Sequence, residues 1–178
     1  MVYMFLADGF EEVEALAPLD ILRRANVEVA TLGVTGEYVE GAHNIVVKAD
    51  KLLSEAVLEN IDAVILPGGL GGTNNMDASD EVKKIVQYAA DNNKLVCAIC
   101  AAPSILGKMG LLEGKEATCY PGFEDTFKGG TYKKQSVVKC NNFITSDGMG
   151  SAYKFGFEIT AALCGNEVAE NIKEQIQY

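Results

Sequence analysis

The chain has 178 residues, a length that suits one domain, and 48% of them are hydrophobic, which is enough to bury a core without disulfide or metal support. Acidic residues number 25 against 15 basic ones, giving a formal charge of −10. An acidic chain without a basic cluster is repelled by nucleic acids and anionic membranes, so we expect neither as a partner.

The N-terminal segment and the cysteines bear on the compartment. Residues 1–9 are too short for a signal peptide and lack a basic region, and no apolar run is long enough to span a membrane. The five cysteines are odd in number and lie mostly in apolar runs, which argues against a disulfide framework. We therefore expect a protein of the reducing cytoplasm.

In the first third of the chain, apolar runs alternate with a helical pattern. Residues 2–7 and 27–33 read as strands, and residues 44–50 as a third, more exposed strand after a glycine-containing turn. Residues 11–26 predict a helix between the first two strands. Its apolar stripe comprises Val13, Leu16, Leu19 and Leu22.

The middle of the chain repeats this alternation. Residues 63–69 predict a buried strand that ends in a glycine loop, and residues 94–99 predict another buried strand. Between them, residues 80–93 form an amphipathic helical pattern, and residues 102–110 predict a helix that ends at Gly110. The inward face of the first helix comprises Val82, Ile85, Val86 and Ala89.

The last third adds a hairpin and two helices. After residues 116–121 and a loop-rich stretch, residues 137–146 predict a hairpin and residues 150–165 a long apolar helix. A final helix with a polar face follows, for which Asn166 is the expected N-cap.

Buried strands without alternation, separated by helices, indicate a parallel sheet covered on both faces. The predicted fold is a single-domain α/β, flavodoxin-like three-layer sandwich over residues 1–178, with a mostly parallel sheet. In such sheets, sites lie at the carboxyl ends of the strands. Three strand ends therefore matter: residues 8–11, 67–69 and 99–101.

Cys97 and Cys100 stand three apart, a spacing that occurs in zinc sites and in redox dithiols. Zinc needs more ligands, whereas the chain has one histidine, His43, and no second pair of this spacing. A redox pair lies at the start of a helix, but Cys97 falls inside the predicted strand. Core packing is the simplest role for Cys97, because free cysteine is often buried.

Cys100 differs because it falls at the junction of strand and helix. Small neighbours, Ala98, Ala101 and Ala102, suit the sharp turn on which a nucleophile is held. The amides of the following helix would favour a thiolate and lower the pKa of the thiol. The alternative is one more buried thiol.

The other two strand ends supply possible partners. The loop 66–72, LPGGLGG, lacks the Lys-Ser/Thr of a phosphate loop, but it can offer free backbone N–H groups to a reacting oxygen, or it can be an ordinary turn. Glu14 lies near the edge of the apolar stripe, and Pro18, four residues on, predicts a distorted helix beside it. Acids at a helix start also simply favour the helix dipole.

Together these segments resemble the ThiJ/PfpI superfamily, specifically its DJ-one branch, almost from end to end. The matching stretches are DGFEEVEALAPLDILRRA (8–25), VKADKLLSE (47–55), DAVILPGGLGGTNNM (62–76), AICAAPSILGKMGLLEGKEATCYPG (98–122) and ITSDGMGSAYKFGFEI (144–159). The resemblance implies a class I glutamine-amidotransferase-like arrangement with a nucleophile elbow. It also implies a homodimer with the first helix near the subunit interface.

In this family pattern Cys100 is the elbow cysteine and Glu14 its carboxyl partner. Gly69 and Ala101 are the residues whose N–H groups form an oxyanion-type pocket. A buried Glu14 would have a raised pKa and stay protonated, so that it donates a hydrogen bond to a thiolate. No metal and no organic cofactor is implied.

The chain departs from its relatives at two positions. Family proteases carry a histidine directly after the nucleophile, where this chain has Ala101, and the DJ-one branch usually has a histidine at Tyr120. Tyrosine can donate a hydrogen bond but is a poor base at neutral pH, so Tyr120 is at most an accessory residue. His43 is expected at the surface or an interface. Without a Cys–His dyad, peptidase activity is not favoured.

The resemblance implies action on 2-oxoaldehydes such as methylglyoxal, or on their early glycation adducts, by a glyoxalase or deglycase route. The alternatives are a non-catalytic oxidative-stress sensor, in which Cys100 becomes a sulfinate, and a chaperone-like protein. One set of residues serves several chemistries, so the family resemblance alone does not choose among them.

Overall fold

The structure is a computed structural model that describes every residue from Met1 to Tyr178. Seven strands form the central sheet, in the spatial order β10-β11-β7-β6-β1-β2-β5. Their bounds are β1 Val2–Leu6, β2 Val29–Gly33, β5 Lys51–Leu52, β6 Ala63–Leu66, β7 Leu95–Ile99, β10 Val137–Cys140 and β11 Phe143–Ser146. All neighbours are parallel except the β10–β11 hairpin.

Six α-helices cover the two faces of this sheet. They are α1 Glu12–Arg24, α2 Leu70–Ala78, α3 Asp80–Asp91, α4 Pro103–Lys108, α5 Ala152–Cys164 and α6 Asn166–Gln175. Side chains of α2, α3 and α4 enter one core cluster, and those of α1 and α5 enter the cluster on the opposite face. The predicted single-domain α/β, flavodoxin-like three-layer sandwich with a mostly parallel sheet is confirmed.

Two small sheets lie outside the central one. β3 Tyr38–Glu40 pairs antiparallel with β4 Val46–Lys48, and β8 Glu116–Ala117 pairs parallel with β9 Thr131–Tyr132. The segment 44–50, predicted as one strand of the fold, therefore contributes β4 to a separate hairpin. None of the helices combines the length and apolar character needed to cross a membrane.

Helix α1 turns a different face to the core from the one predicted. Val13 is 39% exposed, whereas Glu14, Pro18 and Ile21 are buried. The predicted stripe is wrong at Val13, because α1 packs against α5 as well as against the sheet. Gly156 of α5 permits this close packing, since a Cβ there would lie 3.1 Å from the Cα of Pro18.

Helix α1 runs without a break through Pro18, whose missing N–H leaves the carbonyl of Glu14 without a donor from that position. Two further local expectations are corrected. The segment after Gly69, predicted as a loop, forms helix α2. Asn166 is the first residue of α6 rather than its cap, because Gly165 occupies the N-cap position without a side-chain hydrogen bond.

Candidate functional site

Cys100 occupies a strained turn directly after β7. Its φ is +64°, a left-handed conformation that residues other than glycine rarely adopt. The turn is held from both sides, because the N–H of Cys100 donates to the carbonyl of Ser146 at 2.9 Å and its own carbonyl accepts from the N–H of Tyr120 at 2.8 Å. The half-buried Cys100 side chain is thereby fixed at the carboxyl edge of the sheet.

Glu14 reaches this edge from the first turn of α1. Its side chain is buried, with 1% of the residue exposed, and it shares a hydrogen bond with Cys100. The N–H of Gly68 donates to Glu14 Oε2 at 3.0 Å. A Cβ on Gly68 would overlap this carboxylate and would lie 2.6 Å from the Cβ of Cys100. Glycine at position 68 therefore allows the carboxyl group and the thiol to meet.

Two backbone amides contact the sulfur of Cys100. They belong to Gly69 and Ala101, the two residues expected from the family pattern to offer N–H groups. Gly69 has a φ of +84°, and a Cβ there would lie 2.5 Å from the backbone nitrogen of Glu11. The structure thus brings Cys100, Glu14, Gly69 and Ala101 into one cluster.

The electrostatics of this cluster differ from the expectation for the thiol. Burial raises the pKa of Glu14 to about 7, in the direction expected. Burial, together with the Glu14 carboxylate, raises the pKa of Cys100 to about 12, although the two amides act in the opposite direction. The predicted lowering of the thiol pKa is therefore wrong: two amides do not outweigh burial and an adjacent carboxylate.

As a consequence, both groups of the pair have a raised pKa. Below neutral pH both groups are protonated, and near pH 7 the first proton leaves the pair. The carboxyl group is then in place to take the thiol proton when the sulfur attacks. Such a base, with a pKa close to neutrality, suits proton transfer at physiological pH.

Tyr120 lies beside this cluster but outside its centre. It is 52% exposed. A Cβ on Gly148 would stand 3.5 Å from Tyr120 Cδ2 and 4.0 Å from Glu14 Oε1, so Gly148 separates the phenol ring from the carboxyl group. Tyr120 and Gly148 line an open cleft of about 560 Å³, together with Tyr132 and Lys134 among other residues.

His43 is exposed and lies on the far side of the start of α1. Its ring Nδ1 is 2.8 Å from Glu12 Oε2 and 3.6 Å from Glu11 Oε2. The backbone N–H of His43 donates to Glu12 Oε1 at 2.7 Å. Burial opposes ionisation of Glu12, but the hydrogen bonds, first of all that with the His43 ring, hold its pKa below the ordinary value. The hydrogen bond to Glu12 in turn raises the pKa of His43. His43 therefore serves Glu12, not Cys100.

The remaining thiols stand apart from this chemistry. Cys97 is fully buried in β7, as expected for a packing residue, and all five cysteines are free. Donor atoms of Glu11, Glu12 and His43 lie within 4.8 Å of one another and form the one group in the chain with the spacing for a metal ion. Because these three side chains already pair with one another, we interpret them as an ion-pair network.

Sequence reasoning missed Gly68, Gly148 and Ser146. The two glycines leave room for neighbouring side chains because they lack a Cβ, and Ser146 accepts a backbone hydrogen bond from Cys100. Gly68 carried a signal, since it stands in the glycine loop that was singled out, but which glycine faces Cys100 depends on the three-dimensional path. Ser146 acts through its carbonyl, which no side-chain pattern reveals.

Comparison with known proteins identifies the family of the chain. The sequence profile of the DJ-1/PfpI family matches residues 1–162. The protein dj-1beta of Drosophila melanogaster is 37% identical over 172 residues, covering 95% of this chain and 92% of its own length. The Parkinson disease protein 7 homolog of Danio rerio is 36% identical over 175 residues, covering 96% and 93%.

Solved structures give the same answer. Oxidized Toxoplasma gondii DJ-1 superposes with a TM-score of 0.94 at 35% identity, covering 99% of this chain and 97% of its own. The family profile and the curated relatives span nearly the whole chain, including the segments that carry Cys100 and Glu14. The chain belongs to the DJ-1/PfpI family.

Proposed function

We propose that this protein is a cofactor-free, cysteine-dependent enzyme of the glyoxalase or deglycase type. The observation that carries the proposal is the buried hydrogen-bonded pair of Cys100 and Glu14 beside two backbone amides. The pair supplies a nucleophile and a base, and the amides of Gly69 and Ala101 supply donors for a developing oxyanion.

The first step is addition of the thiol to the aldehyde carbon of methylglyoxal. A bond forms between Cys100 Sγ and C1, while Glu14 accepts the thiol proton. The oxygen of the aldehyde becomes an alkoxide that the N–H groups of Gly69 and Ala101 stabilise. Glu14 then passes the proton to this oxygen, which completes a hemithioacetal and regenerates the carboxylate.

The second step moves hydrogen from C1 to C2. The Glu14 carboxylate removes the C1 proton, giving an enediolate, and returns this proton to C2. The proton of the C1 hydroxyl moves to the C2 oxygen, so that C1 becomes the carbonyl of a thioester and C2 carries the hydroxyl. C1 is oxidised and C2 is reduced by the same two electrons, so no external oxidant is needed. Water then hydrolyses the thioester, releasing lactate and the free Cys100 thiol.

Deglycation uses the same groups on an early glyoxal adduct. Cys100 attacks the carbon that carries the hydroxyl and the amine, and the amine leaves with a proton from Glu14. The resulting hemithioacetal is the intermediate already described. One site therefore serves free 2-oxoaldehydes and their adducts.

Lactate formation from methylglyoxal tests this proposal. The wild-type protein should form lactate, Cys100→Ser should form none above background, and Cys164→Ser should match the wild type because Cys164 is an exposed thiol elsewhere. No lactate from the wild-type protein, or equal rates in all three, would refute it. Glu14→Gln should lose at least about 100-fold in kcat, the usual contribution of a general base.

The second candidate is an oxidative-stress sensor. The same two amides and the carboxyl group of Glu14 would surround the oxygens of a Cys100 sulfinate and donate hydrogen bonds to them. Peroxide treatment followed by mass spectrometry separates the two candidates. Ready sulfinate formation at Cys100 without lactate from methylglyoxal would favour the sensor.

We also propose a homodimer in the cytoplasm. Half-exposed apolar side chains surround a shallow depression of about 370 Å³ on α1 and the segments beside it: Val13, Leu16, Ala17, Ile45 and Tyr153. Members of the DJ-1/PfpI family are commonly homodimers. Five free thiols suit a reducing compartment.

A further inference from the structure

We infer that the cleft beside Tyr120 binds an anionic group of the carbonyl substrate, a carboxylate or a phosphate, through the ammonium group of Lys134. We name it the Tyr120 cleft. It is lined by Tyr120, Tyr132, Lys134, Asp147 and Gly148, among others. The inference rests on the proposed function, because it extends the substrate beyond the carbonyl carbon that Cys100 attacks.

The size of the Tyr120 cleft argues for a substrate larger than methylglyoxal. The cleft encloses about 560 Å³, within the range of sites for ligands of ordinary metabolite size. A three-carbon aldehyde displaces only a few water molecules, on the order of 100 Å³. Most of the cleft would therefore remain for the body of a larger carbonyl compound.

The Tyr120 cleft adjoins the reactive pair through Tyr120 and Gly148, although Cys100 and Glu14 themselves do not line it. Tyr120 is tied to Cys100 by its backbone hydrogen bond of 2.8 Å. Gly148 lines the cleft, and a Cβ on it would lie 3.5 Å from Tyr120 Cδ2 and 4.0 Å from Glu14 Oε1. A carbonyl carbon at Cys100 would thus leave the rest of its molecule extending past Gly148 into the cleft.

The positive charge of Lys134 indicates that the part of the substrate in the cleft should carry a negative charge. Lys134 belongs to none of the ion pairs of the chain, although acidic residues outnumber basic ones by ten, 25 against 15. Its neighbour Lys133, in contrast, is 2.7 Å from Glu116. Lys154 lies outside the cleft lining, and its Nζ donates to Ser136 Oγ at 3.0 Å.

Asp147 is the carboxylate that lines the same cleft and opposes an anion. Its Oδ1 accepts a hydrogen bond from Ser151 Oγ at 2.6 Å, and Asp147 makes no ion pair with Lys134. Lys134 is therefore the one ammonium group that lines the cleft, and it has no carboxylate partner, which favours an anionic ligand beside it.

The test uses thiol-reactive probes, so it does not require turnover. Maleimidohexanoate and the neutral maleimidohexanamide share a reactive group and differ in the charge at the far end of a flexible chain. Rates of labelling at Cys100 are followed by peptide mass spectrometry for the wild type, Lys134→Gln and the control Lys133→Gln. Lys134 and Lys133 are both surface lysines, and Lys133 pairs with Glu116 instead of facing the cleft.

We expect the anion-to-amide rate ratio to fall about threefold to fivefold in Lys134→Gln, as for loss of one exposed ion pair. Lys133→Gln should leave the ratio unchanged. An unchanged ratio in Lys134→Gln, an equal fall in both variants, or failure of Cys100 to react with either probe would overturn the inference.

A second arm distinguishes the two anionic groups. Inorganic phosphate or acetate is added while Cys100 of the wild type is labelled with the neutral probe. Slower labelling with phosphate alone assigns a phosphate, slower labelling with both assigns a general anion site, and protection that persists in Lys134→Gln overturns the role of Lys134. Lactate formation without any charge preference would leave the proposed function standing and refute this inference alone.

Discussion

Cys100 and Glu14 behave as one chemical unit, because each sets the proton affinity of the other. The thiol is surrounded by the Glu14 carboxyl group and two amides, and the carboxyl group receives hydrogen bonds from Cys100 and Gly68. Neither group is freely solvated, so the charge that develops on one must be compensated by the other. The reactive form of Cys100 is therefore produced during attack, by proton transfer to Glu14, rather than stored as a free thiolate.

This coupling predicts how stability depends on pH. The pKa of Glu14 is raised from 4.5 to about 7 on folding, so its contribution to stability is fully present below about pH 4.5 and is lost as pH rises through 7. Glu14→Gln removes this loss while its amide oxygen can still accept from Gly68. At pH 8 we expect the variant to exceed the wild type by about 2–3 kcal/mol.

Chemical denaturation at pH 5 and pH 8 measures this difference. Glu59→Gln, an exposed glutamate outside the site, is the control and should give the same difference from wild type at both pH values. If Glu14→Gln is no more stable relative to wild type at pH 8 than at pH 5, the raised pKa of Glu14 is wrong.

At this scale the sequence was sufficient to select the reactive residues but not their charge. A cysteine flanked by alanines at a strand end, together with the family resemblance, points to Cys100 and to Glu14. The pKa of the thiol could not be read in the same way, because the number of amides, the depth of burial and the orientation of the carboxyl group are properties of the folded site. Only the pKa of Glu14, which burial dominates, moved in the expected direction.

At the scale of elements, the glycine loop after β6 brings α1, α2 and β7 together. Gly71 and Gly72 lie in the first turn of α2, where a Cβ on Gly72 would lie 2.8 Å from the Cα of Phe10. These glycines are required by close backbone packing rather than by a loop conformation. That is why a glycine-rich stretch, which normally predicts a loop, is a helix here.

The loop itself gives the second prediction. Gly68→Ala should separate Glu14 from Cys100, because the added Cβ would overlap the carboxylate and crowd the Cβ of Cys100 at 2.6 Å. We expect a loss of about 1–3 kcal/mol in the free energy of unfolding, as for other overpacked sites, and a marked loss of lactate formation.

Gly150→Ala is the matched control, since a Cβ at Gly150 would meet nothing within 4 Å. Denaturation and lactate assays on both variants give the result. Should Gly68→Ala retain wild-type stability and activity, the close approach across this glycine is not required.

Other elements show where pattern reasoning succeeds and fails. Helix α3 matches its prediction because Val82, Ile85, Val86 and Ala89 are all buried. The face of α1 was misjudged at Val13, because α1 packs against α5 as well as against the sheet, and this orientation buries Glu14 instead. The hydrophobic pattern alone therefore does not predict the buried face of a helix in which an acidic residue is buried.

At the scale of the whole molecule, the fold was predictable because its central strands β1, β6 and β7 are apolar throughout. Central strands covered on both faces leave no polar alternation, and helices between them require parallel crossovers. The shortest strands were not predictable, since β5, β8 and β9 are two residues each and pair only where the chain path brings them together.

The oligomeric state is a property of this scale and gives the third prediction. Ile45 is 52% exposed in the apolar patch on α1 and beside it, and a homodimer would cover it. Ile45→Glu should convert the dimer to a folded monomer, because it would bury a charge at the interface. Sedimentation velocity with circular dichroism as the check on folding measures this.

Val57→Glu is the control, as Val57 is comparably exposed, at 43%, and lies outside that patch. The dimer should persist in this variant. A monomeric wild-type protein, or an unchanged dimer in Ile45→Glu, would show that this surface does not join subunits.

The most direct test of the account is the pH dependence of Cys100 alkylation by iodoacetamide, measured for the wild type and for Glu14→Gln. The account predicts that the wild-type rate rises with an inflection near pH 7, the pKa of Glu14, and that this inflection disappears in Glu14→Gln. A wild-type inflection near the ordinary thiol value of about 8.5, unchanged in Glu14→Gln, would contradict it and show that Cys100 reacts without its carboxyl partner.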